Sequence, residues 1–182
     1  MGWLPKERRS AAPVSNIKVD RMKDYLHEKI QGEAEQITGL AGDPALLPVL
    51  LEIEKDFPEE GCSLQRLRQR FLSFMKEGMD TEARLGALVK AAVELTSQEA
   101  PGWEFIAARL LDHRFHRRLR QELSERQIGG FYEKLCYLVK EGLYGDYILE
   151  HYSREELLMA AGFMDEERDK LLNYSGLDLM IS

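Results

Sequence analysis

Few side chains in this sequence have the type and spacing that chemistry needs. His113 and His116 lie three residues apart, so on a helix they share a face, and such a pair can contribute to a zinc site. A closed site needs four ligands and no partner set accompanies them, so they read as part of a solvated helix face and no metal is expected. Cys62 stands just ahead of a helix start at Ser63, where the dipole could lower a thiol pKa, but no base lies near it in sequence to complete a nucleophile. Cys136 falls on the stripe Tyr132, Cys136, Val139 and reads as a small core hydrophobe. The stretch from Arg109 to Arg120 sets Arg109, Arg114, Arg117, Arg118 and Arg120 against Asp112. It is the one positive island of the chain and could meet a phosphate, a nucleotide or an acidic partner surface. Arg114, Arg117, Arg118 and Arg120 are its candidate anion or partner contacts. The competing reading is a solvated face balanced by Glu122, Glu125 and neighbouring helices. It is favoured because no glycine-rich phosphate loop accompanies the arginines. Glu59-Glu60, Glu155-Glu156 and Glu166-Glu167 suit helix starts and do not form an acid/base pair. No P-loop, dinucleotide-binding or nucleophile-elbow pattern occurs, so no catalytic residue, cofactor site or metal site is assigned.

The composition sets the limits around these residues. The 182 residues carry 25 Lys and Arg against 32 Asp and Glu, a net charge of -7, which argues against a general binder of nucleic acid or anionic membrane. Hydrophobic residues make up 44%, too many for a disordered chain. A chain of this length buries roughly 70% of its unfolded surface and needs no staple. Two cysteines exclude a disulfide scaffold and a CxxC site, and a reducing, cytoplasmic setting is expected. No apolar run approaches the roughly 18 residues of a membrane span, and the basic N-terminus lacks the apolar stretch of a secretory signal.

The elements that must position the candidates are all helical. Residues 1–16 carry no period and are expected to form a flexible arm, with a helical domain over 17–182. The spacing predicts a polar helix from Ile17 to about Ile30, then a break from Gly32 to Gly42. Asp43 caps the next helix with Pro44 at its first position, and that helix runs to about Lys55. Ser63 caps a helix whose stripe is Leu64, Leu67, Phe71, Phe74 and Met75, ended by Gly78. Met79-Asp80-Thr81 starts another with Leu85, Leu88, Val89, Ala92 and Leu95 inside. Pro101-Gly102 opens a long helix to about Leu123, carrying the arginine island. Gly129-Gly130 separates it from a helix over Phe131–Glu141. Tyr144–Tyr152 is expected to be a short helix. Ser153-Arg154-Glu155-Glu156 has the form of a capping box, and Asp165–Leu172 and Gly176–Met180 suggest two last short helices. No strict alternation and no hairpin signal occurs, so the fold class is all-α, an irregular single-domain bundle of seven to nine helices. The sequence finishes on Leu177, Leu179, Met180 and Ile181 without a stop signal. This end reads as interrupted, with an exposed apolar patch expected there.

Three stretches in order carry a family resemblance. They are LVKAAVELTSQEAPGWEFIAARLL from Leu88, FYEKLCYLVKEGLYGDYILEHYSREEL from Phe131, and DEERDKLLNYSGLDLM from Asp165. Together they resemble the N-terminal all-α domain of the class I ribonucleotide reductase large (α) subunit, over roughly Ile17 to Ser182. The resemblance implies a helical domain that precedes and supports an α/β barrel, the part that reduces ribonucleotides to deoxyribonucleotides for DNA synthesis. The barrel holds the catalytic cysteines and the substrate site, and Cys62 and Cys136 match none of them. This chain alone is then not expected to catalyse. It implies a barrel chain or domain as partner, packed on the Leu177, Leu179, Met180 and Ile181 end, and indirectly the small (β) subunit that generates the radical. It also implies nucleotide effectors for the family enzyme, with no cofactor held by this chain. Members often add an N-terminal ATP-cone, in which a basic residue matching about Arg117 can contribute. The segment Pro5 to Ser15 lacks the Asp-Gly turn and strand alternation of a cone, so the cone reads as absent or degenerate and Arg117 is given no such role. The alternative is a stand-alone helical regulatory protein that binds a reductase subunit or nucleotide through the arginine island.

Overall fold

Trp103, Ile106, Ala107, Leu110 and Leu111 recur at helical spacing, and burying them requires neighbours on more than one side. In the computed structural model, which describes residues 14–181, they lie on the central helix α5 (Gly102–Glu125); α1 (Val14–Ala41), α2 (Leu46–Asp56), α3 (Leu64–Phe74) and α4 (Thr81–Leu95) precede it. Helix α4 lies along α5, α3 packs on α4, and α1 touches α2, α3 and α4 while α2 reaches α5. The last helix, α9 (Tyr174–Ile181), covers a further stretch of α5. One continuous apolar core joins these elements, with Trp103, Phe71, Ile37, Leu50 and Ile106 fully buried. Trp103 also donates from Nε1 to the Gly61 carbonyl at 2.8 Å, which anchors the turn before α3.

A second group, α6 (Phe131–Lys140), α7 (Tyr147–His151) and α8 (Arg154–Ala161), follows α5. Here α6 packs on α8, and Leu135 and Leu157 are its buried side chains, outside the main core. We call this group the annex and the rest the body. The described residues thus hold nine α-helices, two 3-10 helices and no strand, an all-α architecture. No helix among them is long and apolar enough to cross a membrane.

Several local expectations are borne out at the level of single hydrogen bonds. Ser63 accepts from the Arg66 amide and Asp80 from the Ala83 amide at 2.7 Å. Ser153 and Glu156 form the reciprocal capping box, with Glu156 accepting from the Ser153 amide at 2.8 Å.

Others need correction. Residues 32–41, expected as a break, continue α1, which ends at Gly42 with φ +71. Each glycine costs a helix about 1 kcal/mol, but Ala34, Ile37 and Ala41 are fully buried and their packing outweighs it. Helix α2 starts at Leu46, because Asp43-Pro44-Ala45 forms a turn first. Helix α3 stops at Phe74, four residues before Gly78, whose φ of +79 serves the turn into α4. Asp165–Leu172 is a 3-10 helix over Glu166–Leu171, and the helix sought at Tyr144–Tyr152 spans only Tyr147–His151. Of the expected arm, residues 1–13 lie outside the described residues, and residues 14–16 already belong to α1.

Candidate functional site

The arginine island lies on the second half of α5, and neighbouring helices meet most of its charge. Arg109 reaches Asp56 at the end of α2, 2.7 Å away. Arg114 donates from Nε to Glu82 at 2.7 Å, while its guanidinium lies over Gly86, where an added Cβ would come within 3.4 Å of it. Arg117 approaches Asp43 at 3.5 Å and Glu82 at 3.9 Å. Arg118 pairs with Glu122 one turn on, at 3.5 Å. Arg120 is exposed at the edge of a cleft. The balancing carboxylates come chiefly from other helices, with Glu122 the one supplied by α5 itself. Potential that a free island would present to an anion is largely spent on fastening α5 to its neighbours.

His113 is not on a solvated face. It is buried, and its Nε2 meets the Asp43 carboxylate at 2.8 Å. Asp43 is buried too, and its other oxygen accepts from the Ala45 amide at 3.2 Å. The residue read as a helix cap therefore joins α5 to the α1–α2 turn, with Arg117 on the same carboxylate. No local pattern could have revealed that partner, which lies 70 residues away. His116 points elsewhere and pairs with Asp112 at 3.0 Å. Among the described residues no group of three or more His, Cys, Asp or Glu is arranged to hold a metal.

The two cysteines exchange their expected places. Cys62 is fully buried against Gly102 and Phe57, where a Cβ on Gly102 would sit 3.1 Å from its Sγ. Burial pushes its thiol above the ordinary value; Glu59 and Glu54 push the same way and Arg66 opposes them. A thiol held protonated in this way is a poor nucleophile. Cys136 is only half-buried, in the annex, and hydrogen-bonds Tyr132, whose phenol is raised mainly by that contact. A reading of the chain as loop and helix start does not include the desolvation of Cys62, the largest cause of its raised pKa.

Sequence reasoning missed a cleft of about 280 Å³ between α2, α5 and the 3-10 helix at Glu166–Leu171. Val49 and Ala108 give it apolar walls, and Arg109, Asp112, His116 and Arg120 line it from α5. Lys170 spans it, donating to Glu52 at 2.6 Å and to Glu167 at 2.8 Å, and both bonds raise its pKa, Glu167 the more strongly. Four carboxylates line the cleft, Glu52, Asp112, Glu167 and Asp169, against Arg109, Arg120 and Lys170. That balance does not favour an anionic ligand.

The chain's last helix divides the residues expected as a packing end. Leu177 is buried in the main core and Ile181 packs against it, whereas Leu179 is 83% exposed and Met180 72%. Because α9 already lies on α5, its inner face is used within the body, and the exposed patch there reduces to Leu179 and Met180. A longer series of exposed apolar side chains lies between Leu143 and Met164, across the annex and the residues just after it.

The chain aligns with the alpha subunit of ribonucleoside-diphosphate reductase from Treponema pallidum, 49% identical over 147 residues. The chain belongs to the ribonucleoside-diphosphate reductase alpha-subunit family. That alignment covers 81% of this chain and 17% of the relative. The alpha subunit of ribonucleoside-diphosphate reductase 1 from Escherichia coli is 30% identical over 125 residues, 67% of this chain and 16% of its own length. The Haemophilus influenzae reductase alpha subunit is 31% identical over 106 residues, 56% of this chain and 13% of its own length. The chain thus spans about one sixth of the length of these curated reductase relatives. No protein-family model and no solved structure matches it.

Proposed function

We propose that this chain is the N-terminal helical domain of a class I reductase large subunit, a packing module for the α/β barrel that reduces ribonucleoside diphosphates. The single observation that carries the reading is the alignment itself: most of this chain corresponds to a small part of each reductase alpha subunit. The local chemistry supports it. The buried thiol of Cys62, the ion-paired arginines and the Asp43–His113 contact all serve packing. In this reading the domain includes α1 from Val14 onward. Catalysis, nucleotide effectors and the radical-generating small subunit belong to the assembled enzyme, in the cytoplasm.

The test is a graft. The 147 matched residues of the Treponema pallidum alpha subunit are deleted, or replaced by this chain, and ribonucleoside diphosphate reduction is assayed with the small subunit. The deletion is expected to abolish activity and the graft to restore it. A graft no more active than the deletion refutes the packing role.

A further inference from the structure

Between Leu143 and Met164 the chain exposes Leu143, Tyr147, Met159, Phe163 and Met164, with Phe163 83% accessible. Single exposed apolar residues need no explanation, but a run of them in one small lobe marks a contact surface. The lobe itself gives a second reason. The annex buries only Leu135 and Leu157, apart from the main core, and so small a core stabilises a lobe of three short helices poorly on its own. A third is charge. Asp146, Glu150, Glu155 and Glu156 lie in the same stretch of chain and are all exposed, while Arg154 is already paired with Glu133 at 3.1 Å.

We infer that the exposed stretch Leu143–Met164, which carries α7 and α8, rather than the tip of α9, is the main docking surface of this chain. Its occupant is an apolar patch with a basic rim on the part of the reductase alpha subunit that lies outside these 182 residues. This rests on the packing role proposed above and assigns that role to a surface. The occupant follows from what is on the chain and what is not. The relatives carry about five sixths of their length outside the match. A second copy is disfavoured, because symmetric pairing would set the carboxylate rim against itself. A basic-rimmed partner neutralises that rim, and its apolar centre completes a core the annex lacks.

Methionine footprinting reads the surface without altering it. Met159 and Met164, 67% and 64% exposed, report the annex, and Met180 reports the α9 tip. Oxidation by hydrogen peroxide is compared in the isolated chain and in the graft into the Treponema pallidum alpha subunit. Covering the face is expected to slow sulfoxide formation at Met159 and Met164 roughly tenfold in the graft. The double variant Met159→Gln, Phe163→Asp is expected to make the graft melt in two steps, while the isolated chain keeps its helix content. Protection of Met180 with Met159 and Met164 still reactive overturns the assignment and leaves the packing role standing. No protection at any of the three overturns both. Protection in the isolated chain, with sedimentation as a dimer, overturns the occupant in favour of a second copy.

Discussion

The body and the annex are both helical, yet they are held together differently. In the body, contacts join residues far apart in the chain: Lys170 to Glu52, Asn173 to Glu104, His113 to Asp43. In the annex they span no more than 21 residues: the Ser153–Glu156 capping box and the Arg154–Glu133 pair, with Arg126 at the end of α5 against Tyr137. Caps and exposed pairs define where a helix begins, but each contributes little stability. The comparison teaches that correct local signals suffice to shape a lobe without making it self-sufficient.

Truncation inside each core gives the widest separation. Trp103→Ala removes a fully buried ring and its hydrogen bond to Gly61, and is expected to cost about 4 kcal/mol and to lower the melting temperature of the whole body. Asp43→Ala leaves His113 and Arg117 without their shared carboxylate, and about 3 kcal/mol is expected in denaturant unfolding. Equal stability in that variant would show that the Asp43 contact does not fasten α5 to the α1–α2 turn. Leu157→Ala is expected to cost about 2 kcal/mol, felt as faster amide exchange across 131–161 with the body unchanged. A loss of global stability there would join the two regions into one cooperative unit. Gly39→Ala works in the other direction. Nothing lies within 4 Å of the added methyl and the position is exposed in the last turn of α1, so a gain of about 0.5 kcal/mol is expected.

The smallest effect is a pH contrast. Glu156 is held below the usual carboxylate range by the Ser153 amide and hydroxyl, so its contribution is complete above that range and disappears as pH falls through the depressed value. Glu54 in the body is raised by burial, against a hydrogen bond from the Leu64 amide, so acidification favours its folded form. Acid below the usual carboxylate range should therefore fray the start of α8 in amide exchange while leaving α2 intact. Glu156→Gln keeps a capping partner and is expected to remove the acid dependence. Equal fraying of wild type and variant would break the contrast.

Much of this was legible in the chain, where the signal was local. Ser63, Asp80, Ser153 and the stripe Leu64, Leu67, Phe71 each declared a helix through neighbours within four residues. The errors came where a distant partner decided the outcome. Gly32 and Gly39 signal a break, but Ala34, Ile37 and Ala41 find the core and keep the helix. Cys62 reads as a loop thiol without a base, and its full burial beside Gly102 appears only in the fold. The arginine island reads as a face balanced by Glu122, Glu125 and neighbouring helices, but the particular partners Asp56, Glu82 and Asp43 appear only in the fold. Leu177 looks like part of a bare end until α5 receives it.

The seat of Leu177 against α5 also bears on how the chain is made. A ribosome can extrude α1 to α5 in order, yet the surface of α5 that receives α9 stays open until residues near 177 have emerged. The Lys170–Glu52 bond likewise closes a separation of 118 residues, and such closure comes late because its entropy cost precedes its reward. The annex emerges between these halves and folds from neighbours alone. Synthesis therefore passes through a stage in which the small lobe is shaped while the larger one still waits for its final helix, and a stall before residue 177 would leave α5 open to the wrong partner.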